Sequence, residues 1–196
     1  MNLVIVQFYD CQFQRSDCGL CLSFRYDGGP ECGWCEGATS TCSTRDQCSS
    51  NHRWIGHRCP NPSITKISPS HGPLEGGTPI TITGLNLGSR FNDVTYITVG
   101  SIRCRPIAAR YQISRQIVCI TGNSSHSLSA KIHLDVFGIT ISSPENFQYL
   151  NPIVRQIYPI RGPQSGGSIL TITGNNLNVG NDIIVTAAGI PCKLTW

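Results

Sequence analysis

Apolar and polar residues alternate with a period of two along much of this chain. Pro79-Ile80-Thr81-Ile82-Thr83 is the clearest case: isoleucine and threonine take turns, so an extended segment has one apolar and one polar face. Short runs of the same character occupy residues 64–67, 94–99, 115–120, 131–136 and 146–150, each bounded by Gly, Pro, Asn or Ser. The pattern predicts short strands joined by tight turns, with residues 70–77 as a Gly/Pro turn. No helical period appears. At the front, Val4-Ile5-Val6 followed by Phe8 reads as a strand belonging to a preceding domain. That run lacks a basic region and a cleavage site, and it is too short for a signal peptide or a membrane span.

The pattern also repeats. Shifting the chain by 90 residues brings Ile67 onto Ile157, Pro69 onto Pro159, Gly72-Pro73 onto Gly162-Pro163 and Gly76-Gly77-Thr78 onto Gly166-Gly167-Ser168. The same shift superposes Thr81-Ile82-Thr83-Gly84 on Thr171-Ile172-Thr173-Gly174 and Asn86-Leu87 on Asn176-Leu177. A gapless series of this kind marks a tandem domain of about 90 residues whose second copy stops halfway. Six or seven short strands per copy argue for an immunoglobulin-like β-sandwich. Pro60 and Pro62 mark the boundary before the first copy, and the joint at Tyr149-Leu150-Asn151-Pro152 leaves only a short linker.

Cysteine usage divides the chain differently. Eight of the eleven cysteines lie between Cys11 and Cys59, spaced Cys11-x6-Cys18-x2-Cys21-x10-Cys32-x2-Cys35-x6-Cys42-x5-Cys48-x10-Cys59. So short a stretch cannot bury enough apolar surface to fold on its core alone and needs staples. Two C-x2-C pairs with His52 or His57 nearby suit a zinc site, but eight cysteines exceed the needs of one ion. Disulfides in an oxidising compartment are the other reading, and counting leaves 105 possible pairings open.

The series around Cys32-Gly33-Trp34-Cys35 resembles the PSI module of plexins, semaphorins and integrins. That resemblance implies the pairs Cys11–Cys32, Cys18–Cys59, Cys21–Cys42 and Cys35–Cys48, with Trp34 as a packing aromatic. Ile67-x-Pro69-x2-Gly72-Pro73-x2-Gly76-Gly77-Thr78 and Ile80-Thr81-Ile82-Thr83-Gly84 resemble IPT/TIG domains, the immunoglobulin-like units of plexins, the hepatocyte growth factor receptor family and Rel-type transcription factors. Cys104 and Cys119, alone in the first copy, are expected to pair with each other. Cys192 takes the place of Cys104 in the second copy, and its partner is expected beyond Trp196.

A PSI module before two IPT domains resembles plexins, in particular the third PSI and the third and fourth IPT domains. Val6-Gln7-Phe8-Tyr9-Asp10-Cys11 with Ser16-Asp17-Cys18, residues 114–119, residues 133–138 and residues 189–195 are plexin-like. The expected organisation is then residues 1–10 as linker or end of a preceding domain, 11–60 as PSI module, 61–150 as IPT domain and 151–196 as half of a second. The resemblance implies a mainly β stalk segment of a semaphorin receptor, outside the plasma membrane, with signal peptide and transmembrane helix elsewhere. Semaphorin would bind a head that precedes this segment, and receptor homodimer contacts are conceivable along the stalk. The stalk of a growth-factor-receptor kinase and a Rel-like DNA-binding protein are the alternatives.

Charge and candidate chemistry add exclusions. Charged residues make up 13% of the chain, about half the usual share, and the net charge is +4. The twelve Arg, among them Arg15, Arg58, Arg103, Arg105 and Arg115, are dispersed and not interleaved with aromatics, which argues against a nucleic-acid partner. His52, His57, His71, His126 and His133 form no local triad or metal motif, so no enzyme activity, small-molecule substrate, cofactor or metal is expected. Residues 72–77 are glycine-rich but lack the Lys-Ser/Thr ending of a phosphate loop, leaving His71 and Glu75 as surface turn residues. Asn123-Ser124-Ser125 is a glycosylation sequon in a predicted loop, whereas Asn61-Pro62-Ser63 is blocked by its proline.

Overall fold

The computed structural model describes residues 5, 8–13, 15–23, 25, 27–180 and 183–195. The front module has one short helix, α1 (Cys18–Ser23), and three antiparallel strands, β1 (Cys32–Glu36), β2 (Thr41–Thr44) and β3 (Arg53–Ile55), ordered β2-β1-β3. Its interior is largely sulfur. Cys11, Cys21, Cys32 and Cys42 form one buried cluster and Cys18, Ile55 and Cys59 another, with Trp34 packed against both. Cys11 is bonded to Cys32, Cys18 to Cys59, Cys21 to Cys42 and Cys35 to Cys48, at Cα separations of 5.5 to 5.7 Å. With these thiols bonded to one another they are not available to a zinc ion. No group of His, Cys, Asp or Glu among the described residues is arranged to hold a metal.

The glycine of Cys-Gly-Trp-Cys has a specific cause. A Cβ on Gly33 would lie 2.3 Å from Cε2 of Trp54, and one on Gly56 would lie 2.6 Å from its Cζ3. Trp54 is thus clasped between two glycines, its indole N–H reaches Ser43 O at 3.4 Å, and Arg45 stands 5.3 Å from its ring.

The first sandwich contains β4 (Ser63–Ser68), β5 (His71–Pro73), β6 (Pro79–Leu85), β7 (Val94–Val99), β8 (Ile102–Pro106), β9 (Gln116–Thr121), β10 (Leu128–Val136) and β11 (Ile139–Leu150). They are ordered β4-β6-β9-β8-β7-β10-β11-β5, and β8 pairs with both β7 and β9, joining the two layers. The inward positions of the alternating strands supply the core: Ile80 and Ile82 from β6, Ile97 and Val99 from β7, Ile132 and Leu134 from β10. Phe147 and Tyr149 meet edge to face with ring centres 5.1 Å apart, and the Tyr149 hydroxyl donates to Gly122 O at 3.0 Å. Burial pushes the pKa of that phenol upward. The Cys104–Cys119 bridge lies within this core.

Several elements differ from the sequence reading. α1 is too short to display a helical period. Residues 71–77 are not all turn: β5 adds to the sheet, pairing in parallel with residues 148–150 through His71, Gly72 and Pro73. Three residues including a glycine and a proline carry no alternation to read. A Cβ on Gly72 would fall 2.3 Å from Thr78 Oγ1, so close packing selects glycine there. Val4 and Val6 of the expected front strand lie outside the described residues, and Ile5 and Phe8 are exposed without regular structure.

The second copy contributes β12 (Ile153–Tyr158), β13 (Thr171–Asn175), β14 (Thr186–Ala187) and β15 (Ile190–Pro191). Its backbone repeats the first. Peptide bonds Ser68-Pro69 and Tyr158-Pro159 are both cis, and Gly76, Gly77 and Asn86 share positive φ with Gly166, Gly167 and Asn176. The bulge between Ile64 and Lys66 recurs between Val154 and Gln156.

Candidate functional site: the joints between modules

The side chains that span modules are gathered at one end of the first sandwich. Asp17 begins α1 as its N-cap: Oδ1 accepts from the backbone N–H of Leu20 at 2.9 Å, while its carbonyl accepts from Cys21 N at 3.0 Å. The second carboxylate oxygen faces the sandwich and accepts from Arg115 Nε at 3.1 Å. Arg115 also donates through Nη2 to Ser16 Oγ at 2.6 Å. One buried carboxylate therefore holds a helix end of the front module and a loop of the sandwich at once.

Arg115 is held from its own side. Its carbonyl accepts from Gly84 N at 2.9 Å, and the neighbouring Ser114 takes positive φ, donating to Gly88 O at 2.9 Å and accepting from Leu87 N at 3.0 Å. Ser114 is fully buried against α1: a Cβ on Gly19 would lie 2.3 Å from Ser114 Oγ. Glycine at position 19 lets the helix backbone come that near.

Two further contacts flank this centre. Asn86 Nδ2 donates to Pro60 O at 3.0 Å, tying the linker to the sandwich. At the β10–β11 hairpin, Phe137 lies with its ring centre 5.6 Å from the Arg58 guanidinium, which also donates to Phe137 O. The hairpin is braced by Asp135, a buried carboxylate that accepts from Gly138 N at 3.0 Å and from the Thr95 hydroxyl. Tyr111 stiffens the adjoining loop by donating to Gly88 O at 2.7 Å. Desolvation, with a smaller contribution from Asp93, raises its phenol to about 12.

The second joint reuses one device. Asn176 Nδ2 donates to Asn151 O at 3.0 Å, with the same left-handed backbone as Asn86. Val179 is buried and Gly180 lies against Pro73 of the first sandwich, where a Cβ would stand 3.8 Å from Pro73 Cγ.

The predicted site residues are otherwise spread over separate elements. His71 is exposed on β5, His126 Nδ1 meets Ser125 Oγ at 3.0 Å, His133 Nδ1 meets Ser142 Oγ at 2.9 Å, and His52 Nδ1 lies 3.7 Å from Cys35 Sγ. Leu74 and Glu75 form the turn after β5, Gly76 and Gly77 follow it with positive φ, and Glu75 is exposed. Asn123 is exposed in the loop between β9 and β10. Cys192 carries a free thiol just past β15. The β14–β15 hairpin matches β7–β8 at a shift of 88 residues, which sets Cys192 in the position of Cys104. Sequence reading missed Asp17, Arg115 and Arg58 as joint residues. The signal for Asp17 was legible in principle, since an Asp directly before a Cys-Gly-x-Cys run is a helix-start residue.

Comparison with known proteins places this architecture. The IPT/TIG domain family matches residues 62–149 and 152–196. The chain belongs to this family. Mouse Plexin-A2 is 37% identical over 200 residues, covering 96% of the chain and 10% of the relative, and human Plexin-B1 is 37% identical over 193 residues, covering 96% and 9%. The full extracellular region of Plexin A4 superposes with a TM-score of 0.76 at 36% identity, over 94% of this chain and 19% of that one. The chain thus spans about a tenth of the length of the curated plexins it matches. Its architecture is a PSI module followed by IPT/TIG domains, homologous to a stretch of plexin extracellular region.

Proposed function

We propose that this chain is a segment of the extracellular stalk of a plexin-type receptor, spacing and orienting a membrane-distal head for signalling across the membrane. Semaphorin binding would belong to that head, and this segment would contribute geometry, with receptor self-association along the stalk as its further role in cell and axon guidance. No helix among the described residues is long and apolar enough to cross a membrane. One observation carries the reading: Asp17 is shared between the α1 cap and Arg115, so the angle between modules is tied to folded structure on both sides. A flexible tether needs no such arrangement. The similarity to plexin extracellular regions supports the setting.

The test is imaging of the full receptor ectodomain with and without Arg115→Glu, which sets two carboxylates against each other. The expected result is an unchanged fold with a broadened angle at this joint and a weakened cellular response to semaphorin. An unchanged angle distribution and response would sink the proposal. Mass spectrometry without reduction checks the setting separately, because free thiols among the first eight cysteines would contradict an oxidising compartment.

A further inference from the structure

The loop carrying the sequon is hydrogen-bonded to the residue that follows Pro73, at the second joint. Ser124, its middle residue, is buried and donates its backbone N–H to Leu74 O at 2.7 Å; its hydroxyl donates to His126 O at 2.6 Å. Leu74 follows directly on Pro73, the residue against which Gly180 of the second domain rests. Two residue steps and one hydrogen bond therefore connect Asn123 to the interdomain contact. The loop is fixed from the other side as well, since Gly122 donates to Arg103 O at 3.0 Å and accepts from the Tyr149 hydroxyl at 3.0 Å. Asn123 and Ser125, the two residues a sequon requires, both stay exposed.

We infer that Asn123 carries an N-linked glycan that acts as a steric strut at the joint between the two IPT/TIG domains. The inference rests on the extracellular reading above and deepens it. Glycosylation replaces one amide hydrogen of Asn123 with the first sugar of a lipid-linked oligosaccharide, the lipid diphosphate leaving. The donor is the one the secretory pathway supplies to every sequon. The attachment point sits on a loop with buried anchors on both sides, so the glycan root moves with the first domain and not as a loose appendage. A bulky hydrated group rooted there occupies the space into which the second domain would swing towards the β9–β10 loop. Bending in that direction is curtailed, while the opposite direction is left free.

The full receptor is expressed through the secretory pathway of cultured animal cells, as wild type, Ser125→Ala, which destroys the sequon, and Ser125→Thr, which preserves it. Glycopeptide mass spectrometry is expected to show modified Asn123 in wild type and Ser125→Thr and complete loss in Ser125→Ala. Single-particle images are expected to show a one-sided broadening of the second joint's angle in Ser125→Ala alone. Endoglycosidase trimming of folded wild-type protein gives the same comparison without a substitution. Unmodified Asn123 in secreted, fully disulfide-bonded protein overturns the inference while leaving the stalk reading intact. So does an angle distribution unchanged by trimming. Failure of secretion with free thiols would instead overturn the reading beneath it.

Discussion

Ile67 and Ile157 hold the same place in the two copies of the repeat, yet Ile67 is 3% exposed and Ile157 45%. Ile64 and Val154 differ in the same way, at 8% and 54%. In the first copy these side chains meet a layer that includes β10 and β11; among the described residues the second copy has no counterpart of β9, β10 or β11. The backbone is nevertheless the same, down to the bulge and the left-handed asparagine. Gly84 and Gly174 show why. A Cβ at either would stand 2.1 or 2.0 Å from a carbonyl oxygen of the facing strand, Ser63 O or Ile153 O. The geometry of the β4–β6 and β12–β13 pairs is thus written in residues whose demands are local, while stability comes from the layer laid over them.

The largest test of that contrast is one substitution made in both copies. Ile67→Ala opens a cavity in a closed core and is expected to cost about 2–5 kcal/mol in urea unfolding. In the 196-residue chain Ile157→Ala removes a half-exposed side chain and is expected to cost about 1 kcal/mol or less. Equal costs would show that the second copy is held by more than its local geometry.

The cysteines sharpen the same contrast. Replacing Cys104 and Cys119 together by Ala opens the one bridge of the first copy, which closes a 15-residue separation, and is expected to cost about 3 kcal/mol. In the 196-residue chain Cys192→Ala is expected to change the unfolding free energy by less than about 0.5 kcal/mol. Alkylation of the 196-residue chain without reduction checks the assignment, since Cys192 alone among the cysteines of the described residues should be labelled.

A pH titration reports on the packing around Tyr111 in the first copy. Tyr111 is raised from 10 to about 12 in the folded protein, chiefly by desolvation, so the fold favours the neutral phenol. Its contribution is complete below pH 10 and is lost as pH climbs from about 10 to about 12, where the unfolded chain ionises first. After discounting for partial exposure the loss is expected to be about 1–2 kcal/mol. Tyr111→Phe should flatten that part of the stability profile, leaving the smaller slope from Tyr149, which is raised in the same direction.

How far these features were legible in the sequence depends on the range of the interaction behind them. Ile80 and Ile82 announce a half-buried strand because alternation is a property of neighbours, and the shift of 90 residues exposes the repeat without any structure. β5 was not legible, since its three residues are ordered by pairing with residues 148–150, more than seventy positions away. The cysteine spacing permits 105 pairings, so only family resemblance could single one out. Arg115 looks like any surface arginine until the fold brings it to Asp17, 98 residues earlier.

That contact gives the finest test, because Asp17 does two jobs that substitution can separate. Asparagine is also a good N-cap, so Asp17→Asn should keep the bond to Leu20 N while weakening the charge-assisted bond from Arg115. Alanine removes both. Asp17→Asn is expected to cost about 1 kcal/mol and Asp17→Ala about 2, the difference being the cap. Arg115→Gln should resemble Asp17→Asn, since the guanidinium is half-exposed and the pair is partly screened. In the double variant Asp17→Asn/Arg115→Gln the costs should fall short of additivity by about 0.5–1 kcal/mol, because both changes remove one interaction. Additive costs would mean that cap and arginine act independently, and among the described residues the front module would then be tied to the sandwich through Ser16, Asn86, Arg58 and close packing at Gly19.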